Sequence, residues 1–276
     1  MKMPIYLDHA ATSPIHPAVS QEMLDVMQQE FGNPSSIHYA GRSARKKLDE
    51  ARAFFAEEIG AVEKEIVFTS GGTESDNTAV IGAALANQSR GKHIITSSIE
   101  HHAVLRACEF LEKQGFSVTY LPVDEFGIVS VEDVRLALRE DTILVSIMYG
   151  NNEIGAIQPI EAIGELLREH QALFHTDAVQ AFGLVPMNVV KLGVDLLSTS
   201  SHKINGPRGV GFLYVKQGTK LEFPFHGGEQ ERGRRAGTEN LAGIAGFKKA
   251  LEVMKLDRFA KVERYAHFKE IFRSIF

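Results

Sequence analysis

Strand-sized apolar runs alternate along this chain with amphipathic stretches of helical period, and most runs end on polar residues or glycines. "EIVFTSGG", "HIITSS", "SVTYLPV", "TILVSIMYG", "ALFHTD" and "DLLSTS" are the runs. "SARKKLDEARAFFAEEIGA", "TESDNTAVIGAALAN", "HAVLRACEFLEKQG", "VEDVRLALR" and "IEAIGELLREHQ" carry the helical spacing. Strand and helix in repeated alternation predict an α/β fold with a mostly parallel central sheet covered by helices on both faces. Near "GVGFLYVKQG" two strands come in quick succession, which predicts one antiparallel member. From "NLAGIAGFKK" the pattern is helical nearly to Phe276 and ends on apolar residues, so the chain is expected to be cut short there.

Composition narrows the partners. Thirty basic and thirty-five acidic side chains leave a formal charge of −5, which points to neither a nucleic-acid nor a membrane surface. No apolar run approaches the roughly 20 residues of a membrane span, and "MKMPIYLDHAATSP" does not resemble a signal peptide. A cytoplasmic location is the expectation. Cys108 is the single cysteine. It shares a helix face with Val104, Ala107 and Leu111, so it is expected to be a small core hydrophobe rather than a metal ligand or nucleophile.

In open α/β sheets, ligands sit beyond the carboxyl ends of the strands. The residues just past each apolar run are therefore the informative ones. Ser70-Gly71-Gly72-Thr73-Glu74 leads into a helix and can cradle an anion on backbone N–H groups, although such glycines also occur for steric reasons. No GK[ST] comes after it, so this is not a P-loop. Glu100, His101 and His102 come next. Neighbours at i and i+1 do not share a helix face, which disfavours a metal site and leaves a surface role or a ring stacked on a planar ligand. Asn151-Asn152-Glu153-Ile154-Gly155 is a polar turn. Asp177 ends an apolar run, is expected to be buried, and then needs a partner: a cap, a scaffold ion pair or a bound cation. Gln180 lies three residues on, and "SSHKINGPRGVG" supplies Ser200, His202 and Lys203.

Pyridoxal 5′-phosphate needs all of these together. It requires a phosphate cradle, a group stacked on its ring, a carboxylate at its pyridinium nitrogen, a donor at its phenolic oxygen and a lysine for its aldehyde. Each requirement has a candidate after a different run.

The ordered segments "YLDHAATSP", "FGNPSSIH", "EIVFTSGGTESDN", "EHHAVL", "NNEIG", "HTDAVQ", "SSHKINGPRGVG" and "RRAGTEN" resemble the cysteine desulfurases. These are class V members of the fold-type-I pyridoxal-phosphate enzymes, here the iron–sulfur-cluster and nitrogenase-associated subgroup. The resemblance implies residues 1–14 as an N-terminal arm contributing to a small domain. It implies 15–252 as the large cofactor-binding domain and 253–276 as the helical start of a small domain otherwise largely absent. By resemblance, Lys203 is the cofactor-binding lysine, His101 stacks on the ring and moves protons, and Asp177 meets the ring nitrogen. Asn152 and Gln180 match the surroundings of the phenolic oxygen, and Gly72, Thr73, Ser200 and His202 the phosphate cup. Thr238 is similar to a threonine that reaches the phosphate of the other subunit, implying a homodimer. The implied reaction takes sulfur from L-cysteine, leaves L-alanine and passes sulfur as an enzyme persulfide to an iron–sulfur scaffold or a tRNA thiolase.

One departure stands out. The family's nucleophilic cysteine has no counterpart, because Cys108 matches no catalytic position. Activity of this chain alone is therefore doubtful. A selenocysteine lyase, a small aminotransferase or a non-catalytic assembly partner keeping the cofactor fold are the alternatives. Losing most of a small domain is also expected to bare apolar surface on the "FKKALEVM" helix.

Overall fold

The computed structural model describes residues 5–275; Met1 to Pro4, at the start of the expected arm, and Phe276 lie outside the described residues. Two helices come first, α1 (Pro17–Gln29) and α2 (Tyr39–Ile59), then strand β1 (Ile66–Thr69) and helix α3 (Gly72–Asn87). Next come β2 (His93–Ser97), α4 (His102–Lys113), β3 (Ser117–Leu121), α5 (Val131–Ala137) and β4 (Thr142–Ser146). The chain continues through α6 (Ile160–Leu167), β5 (Leu173–Asp177), the short α7 (Val189–Leu192), β6 (Leu196–Ser198) and β7 (Gly211–Val215). The short α8 (Gln230–Gly233) and the long α9 (Leu241–Ile275) complete it.

The strands form one seven-stranded sheet in the order β1-β7-β6-β5-β4-β2-β3. Period-2 alternation sends successive side chains to opposite faces, and the two buried clusters divide accordingly. Ile66, Phe68, Ile95, Val145, Leu197, Phe212 and Tyr214 join one cluster with residues of α1, α2, α6 and α9. Val67, Ile94, Leu144, Leu196 and Leu213 join the other, against α3 and α4. Helices thus cover both faces, as the alternating pattern predicts. On the first face Phe55, Phe182, Phe212 and Phe247 interlock, with the Phe55 and Phe247 rings 4.6 Å apart and Phe212 and Phe247 stacked at 5.9 Å.

Strand direction positions the site. β2, β3, β4, β5 and β6 are mutually parallel. β7 is the antiparallel member, and it pairs antiparallel with both β6 and β1. Two reversals cancel, so β1 runs the same way as β6. The carboxyl ends of β1, β6, β5, β4 and β2 therefore open on one edge of the sheet, and the polar segments just beyond them meet there.

Helix α9 runs unbroken from Leu241 to Ile275. Phe247, Ala250, Leu251 and Met254 are buried in it, so the "FKKALEVM" stretch is packed rather than bare. Residues of α1 and α2 share a buried cluster with these side chains, so the apolar exposure expected on this helix does not fall on that stretch itself. Exposed apolar side chains instead come after it, at Leu256, Phe259, Val262, Tyr265, Phe268 and Phe272.

Candidate active site

A cavity of about 200 Å³ lies at the shared strand edge. Gly72, Thr73, His101, Asn152, Asp177, Gln180, Ser200, His202 and Lys203 all line it. They are contributed by the segments that follow five different strands of the sheet. The α3 start comes from β1, the Ser200–Lys203 turn from β6, Asp177 from β5, Asn152 from β4 and His101 from β2.

Helix α3 begins at Gly72, with Gly71 at its N-cap and no side-chain cap. Gly71 holds φ +137°, a conformation that side chains rarely adopt. Successive uncapped N–H groups and the positive end of the helix dipole face the cavity, an arrangement suited to phosphate. Gly72 is needed for space, since a Cβ there would come within 2.7 Å of Val179 Cγ2. A neighbouring cavity of about 320 Å³ shares Gly72, Thr73, Ser200 and His202 and adds Arg208, a cation beside the cradle that the motifs alone do not single out.

His101 is the N-cap of α4, and its Nδ1 accepts the Ala103 N–H at 3.1 Å. That bond fixes the ring orientation and leaves Nε2 as the proton-bearing nitrogen of the neutral form. His202 shares a hydrogen bond between Nδ1 and Thr12 Oγ1 at 3.1 Å. Burial, with Lys203 and Arg208 nearby, pushes the His202 imidazole down to about 4, so it is neutral at physiological pH.

Lys203 sits in a short 3₁₀ turn, Ser201–Lys203. Its Nζ donates to the carbonyls of Ala10 and of Ala11, the latter at 3.0 Å. Gln180 Nε2 donates to the Ala10 carbonyl at 3.0 Å. The arm is tied down beside this turn, because Ser13 Oγ donates to the His202 carbonyl at 2.6 Å and accepts the Asn205 N–H at 2.8 Å. Burial lowers the Lys203 pKa, and the charges of Asp177 and Asp8 oppose that shift. A partly desolvated amine of this kind is available as a nucleophile.

Asp177 is buried at the end of β5, and its Oδ1 accepts the Val179 N–H at 2.9 Å. Burial raises its pKa, while that hydrogen bond and the nearby His101 and Lys203 act to lower it. Asp76, which the motif reading does not pick out, also lines the cavity from the second turn of α3. Asp76 Oδ1 is buried with no hydrogen-bond partner. The donor set fits pyridoxal phosphate: an uncapped helix start for an anion, a buried carboxylate for a ring N–H, and an amine for an aldehyde.

Two of the residues singled out in the sequence fall outside the cavity. Thr238 lines a separate cavity of about 210 Å³ with Ser70 and Arg235. Arg235 ties that segment to α3 through Glu74, with Nε 2.9 Å from Oε1. Cys108 is wholly buried in α4, and burial pushes its thiol up to about 12, so it is inert.

The aminotransferase class V family model matches residues 5–271. The cysteine desulfurase IscS of Dictyoglomus turgidum (strain DSM 6724 / Z-1310) is 53% identical over 272 residues, 99% of this chain and 69% of that relative's length. Among solved structures, a NifS-like protein superimposes with a TM-score of 0.95 at 39% identity, covering 99% of this chain and 75% of that one. A structure described as SspA in complex with cysteine matches with a TM-score of 0.88 at 42% identity, covering 90% of this chain and 72% of that one. With likeness of this degree along nearly its whole length, the chain belongs to the class V aminotransferase family, among its cysteine desulfurases.

Proposed function

We propose that the cavity at the shared strand edge holds pyridoxal 5′-phosphate and receives L-cysteine for desulfuration. The observation that carries the proposal is the convergence of Lys203, Asp177 and the uncapped start of α3 on one cavity. When bound, the cofactor supplies an aldehyde for amines and a ring that draws in charge from the substrate Cα.

The chain's own residues do the rest. Gly72 and Thr73 offer backbone N–H groups to the phosphate, and Ser200 and His202 offer side chains to it. His202 would offer its imidazole to the phosphate as a hydrogen-bonding group. Asp177 accepts the ring N–H and keeps that nitrogen protonated. His101 would stack on the ring, with Nε2 available to move a proton. Asn152 and Gln180 address the phenolic oxygen. Lys203 would hold the cofactor's aldehyde through Nζ, and the same amine, when free, would be placed to exchange a proton with the substrate Cα.

The thiol that takes the sulfur is not Cys108, which is buried and holds its proton. The remaining assignments are proposals on the strength of the family pattern. They are a homodimer with Thr238 at the partner's phosphate, an iron–sulfur scaffold or tRNA thiolase as sulfur acceptor, and a cytoplasmic location. The arm at 1–14, the body at 15–252 and a small-domain start at 253–276 are proposed on the same basis. Among the described residues no helix is long and apolar enough to cross a membrane.

The test is titration of the cofactor-free protein with pyridoxal phosphate, then visible absorbance and borohydride trapping. The wild type gains a bound visible band and traps the cofactor on Lys203, whereas Lys203→Ala gains neither. An unchanged band in Lys203→Ala would overturn the assignment.

A further inference from the structure

Beneath the cavity lies a chain of buried polar groups that the proposed mechanism does not use. His175 on β5 sits between two hydroxyls, with Nδ1 2.8 Å from Ser146 Oγ and Nε2 3.0 Å from Ser198 Oγ. Its Nε2 is also 3.6 Å from Asp76 Oδ1. Asp76 and Asp177 are both buried, and Ser198 and Asp177 are among the groups nearest the Asp76 carboxyl. Ligand atoms of Asp76, Asp177 and His101 all lie within 4.8 Å of one another.

Two buried carboxyl groups this close do not both ionise, so the pair holds one proton. Their surroundings decide which side holds it. Asp177 has the Val179 N–H on Oδ1 and faces His101 and Lys203, all of which favour its charged form. Asp76 faces Asp177, Glu100, Ser198 and His175. Glu100 adds negative charge, and His175 is no cation, because burial pushes it down to about 3. His101 lies within reach of both carboxyls, but Asp177 has the Val179 N–H and Lys203 besides, so a charge is better supported on Asp177, and an ionised carboxylate left unpaired in the interior is costly. Sequence geometry aids the contact. Asp76 is four residues after Gly72, hence on the same helix face, and side chains of a helix lean toward its N-terminus.

We propose that Asp76 is a positioning residue that carries the shared proton and donates it as a hydrogen bond to Asp177. Asp177 alone then presents a negative charge to the ring nitrogen, in an orientation fixed from below. Asp76 acts through Asp177, and the inference rests on the reading that Asp177 meets the cofactor ring.

The test starts from cofactor-free protein labelled with ¹³C at the aspartate side-chain carboxyls, so that Glu100 does not contribute. Infrared spectra at pH 7 are expected to show one isotope-shifted band from a protonated carboxyl, present in wild type and absent in Asp76→Asn. No such band in wild type, or a band that survives Asp76→Asn and vanishes in Asp177→Asn, would overturn the proposal. The wild-type spectrum stands even if a variant folds poorly.

Affinity for pyridoxal phosphate gives a second readout. Asp76→Asn keeps a donor toward Asp177 and is expected to bind within about threefold of wild type, whereas Asp76→Ala binds at least about tenfold more weakly. Equal losses in the two variants would refute a donor role. Failure of the underlying reading looks different, since Asp177→Asn would then leave cofactor affinity unchanged whatever the infrared band shows.

Discussion

Arg52 and Glu231, 179 residues apart in sequence, form a doubly hydrogen-bonded ion pair with side chains only 3% and 1% exposed. The bonds measure 2.7 and 2.6 Å, and Glu231 Oε2 also accepts the Phe68 N–H at 2.9 Å. Arg52 Nη1 in turn donates to the Ile66 carbonyl at 2.8 Å. The pair clamps β1 to the segment that carries Arg235 and Thr238. Glu231 and Arg232 hold φ of 49° and 61°, a strained setting for residues with side chains.

Removing one partner leaves the other charge buried and unpaired. Arg52→Ala or Glu231→Ala is expected to destabilise the fold by about 3–5 kcal/mol. Urea denaturation of the two single variants and the double variant checks this. The double variant should lose less than the sum of the singles, since it leaves no lone charge.

Gly72 lends itself to a steric test of the phosphate cradle. The added methyl of Gly72→Ala meets Val179 Cγ2 at 2.7 Å and crowds the cavity wall. Cofactor affinity should fall about tenfold, equivalent to about 1.4 kcal/mol. Val179→Ala in the same background should recover most of it. Equilibrium titration with pyridoxal phosphate measures both.

Glu100 makes stability depend on pH. Its Oε1 accepts the Ser97 hydroxyl at 2.5 Å and the Met148 N–H at 2.9 Å, while Oε2 is buried without a partner. Burial raises its pKa from 4.5 to about 8. Between those values the unfolded chain releases a proton that the folded chain keeps. Glu100 therefore lowers stability as pH rises through that window, by about 1.4 kcal/mol per unit at most. Glu100→Gln should flatten this slope and leave the variant relatively more stable at pH 8 than at pH 5. Denaturation midpoints across that range decide it, and an unchanged slope would refute the assignment.

Much of the molecule is legible in the sequence because its signals are local. Period-2 and helical patterns specify the strands and helices, and apolar Val104, Ala107 and Leu111 mark Cys108 as core. Glycines at 71 and 72 announce a helix start that can cradle an anion, while the absence of a side-chain cap there comes from the structure. The ordered motifs name the residues that line the cavity. By themselves they do not show that Asp76 lines it too, because nothing nearby in sequence distinguishes that aspartate from a solvated helix residue. Its environment is made by Ser198, His175 and Asp177, brought from β5 and β6 by the sheet order.

The same holds for Arg52 and Glu231, each of which reads locally as an ordinary surface charge. Sequence determined the chemistry available, namely which amine, which carboxylates and which glycines this chain possesses. Tertiary structure decided which of them lose water and face one another. β7 runs against both β6 and β1, so the carboxyl ends of distant strands share one edge. Charge state depends on burial and on neighbours remote in sequence, and a linear pattern carries neither.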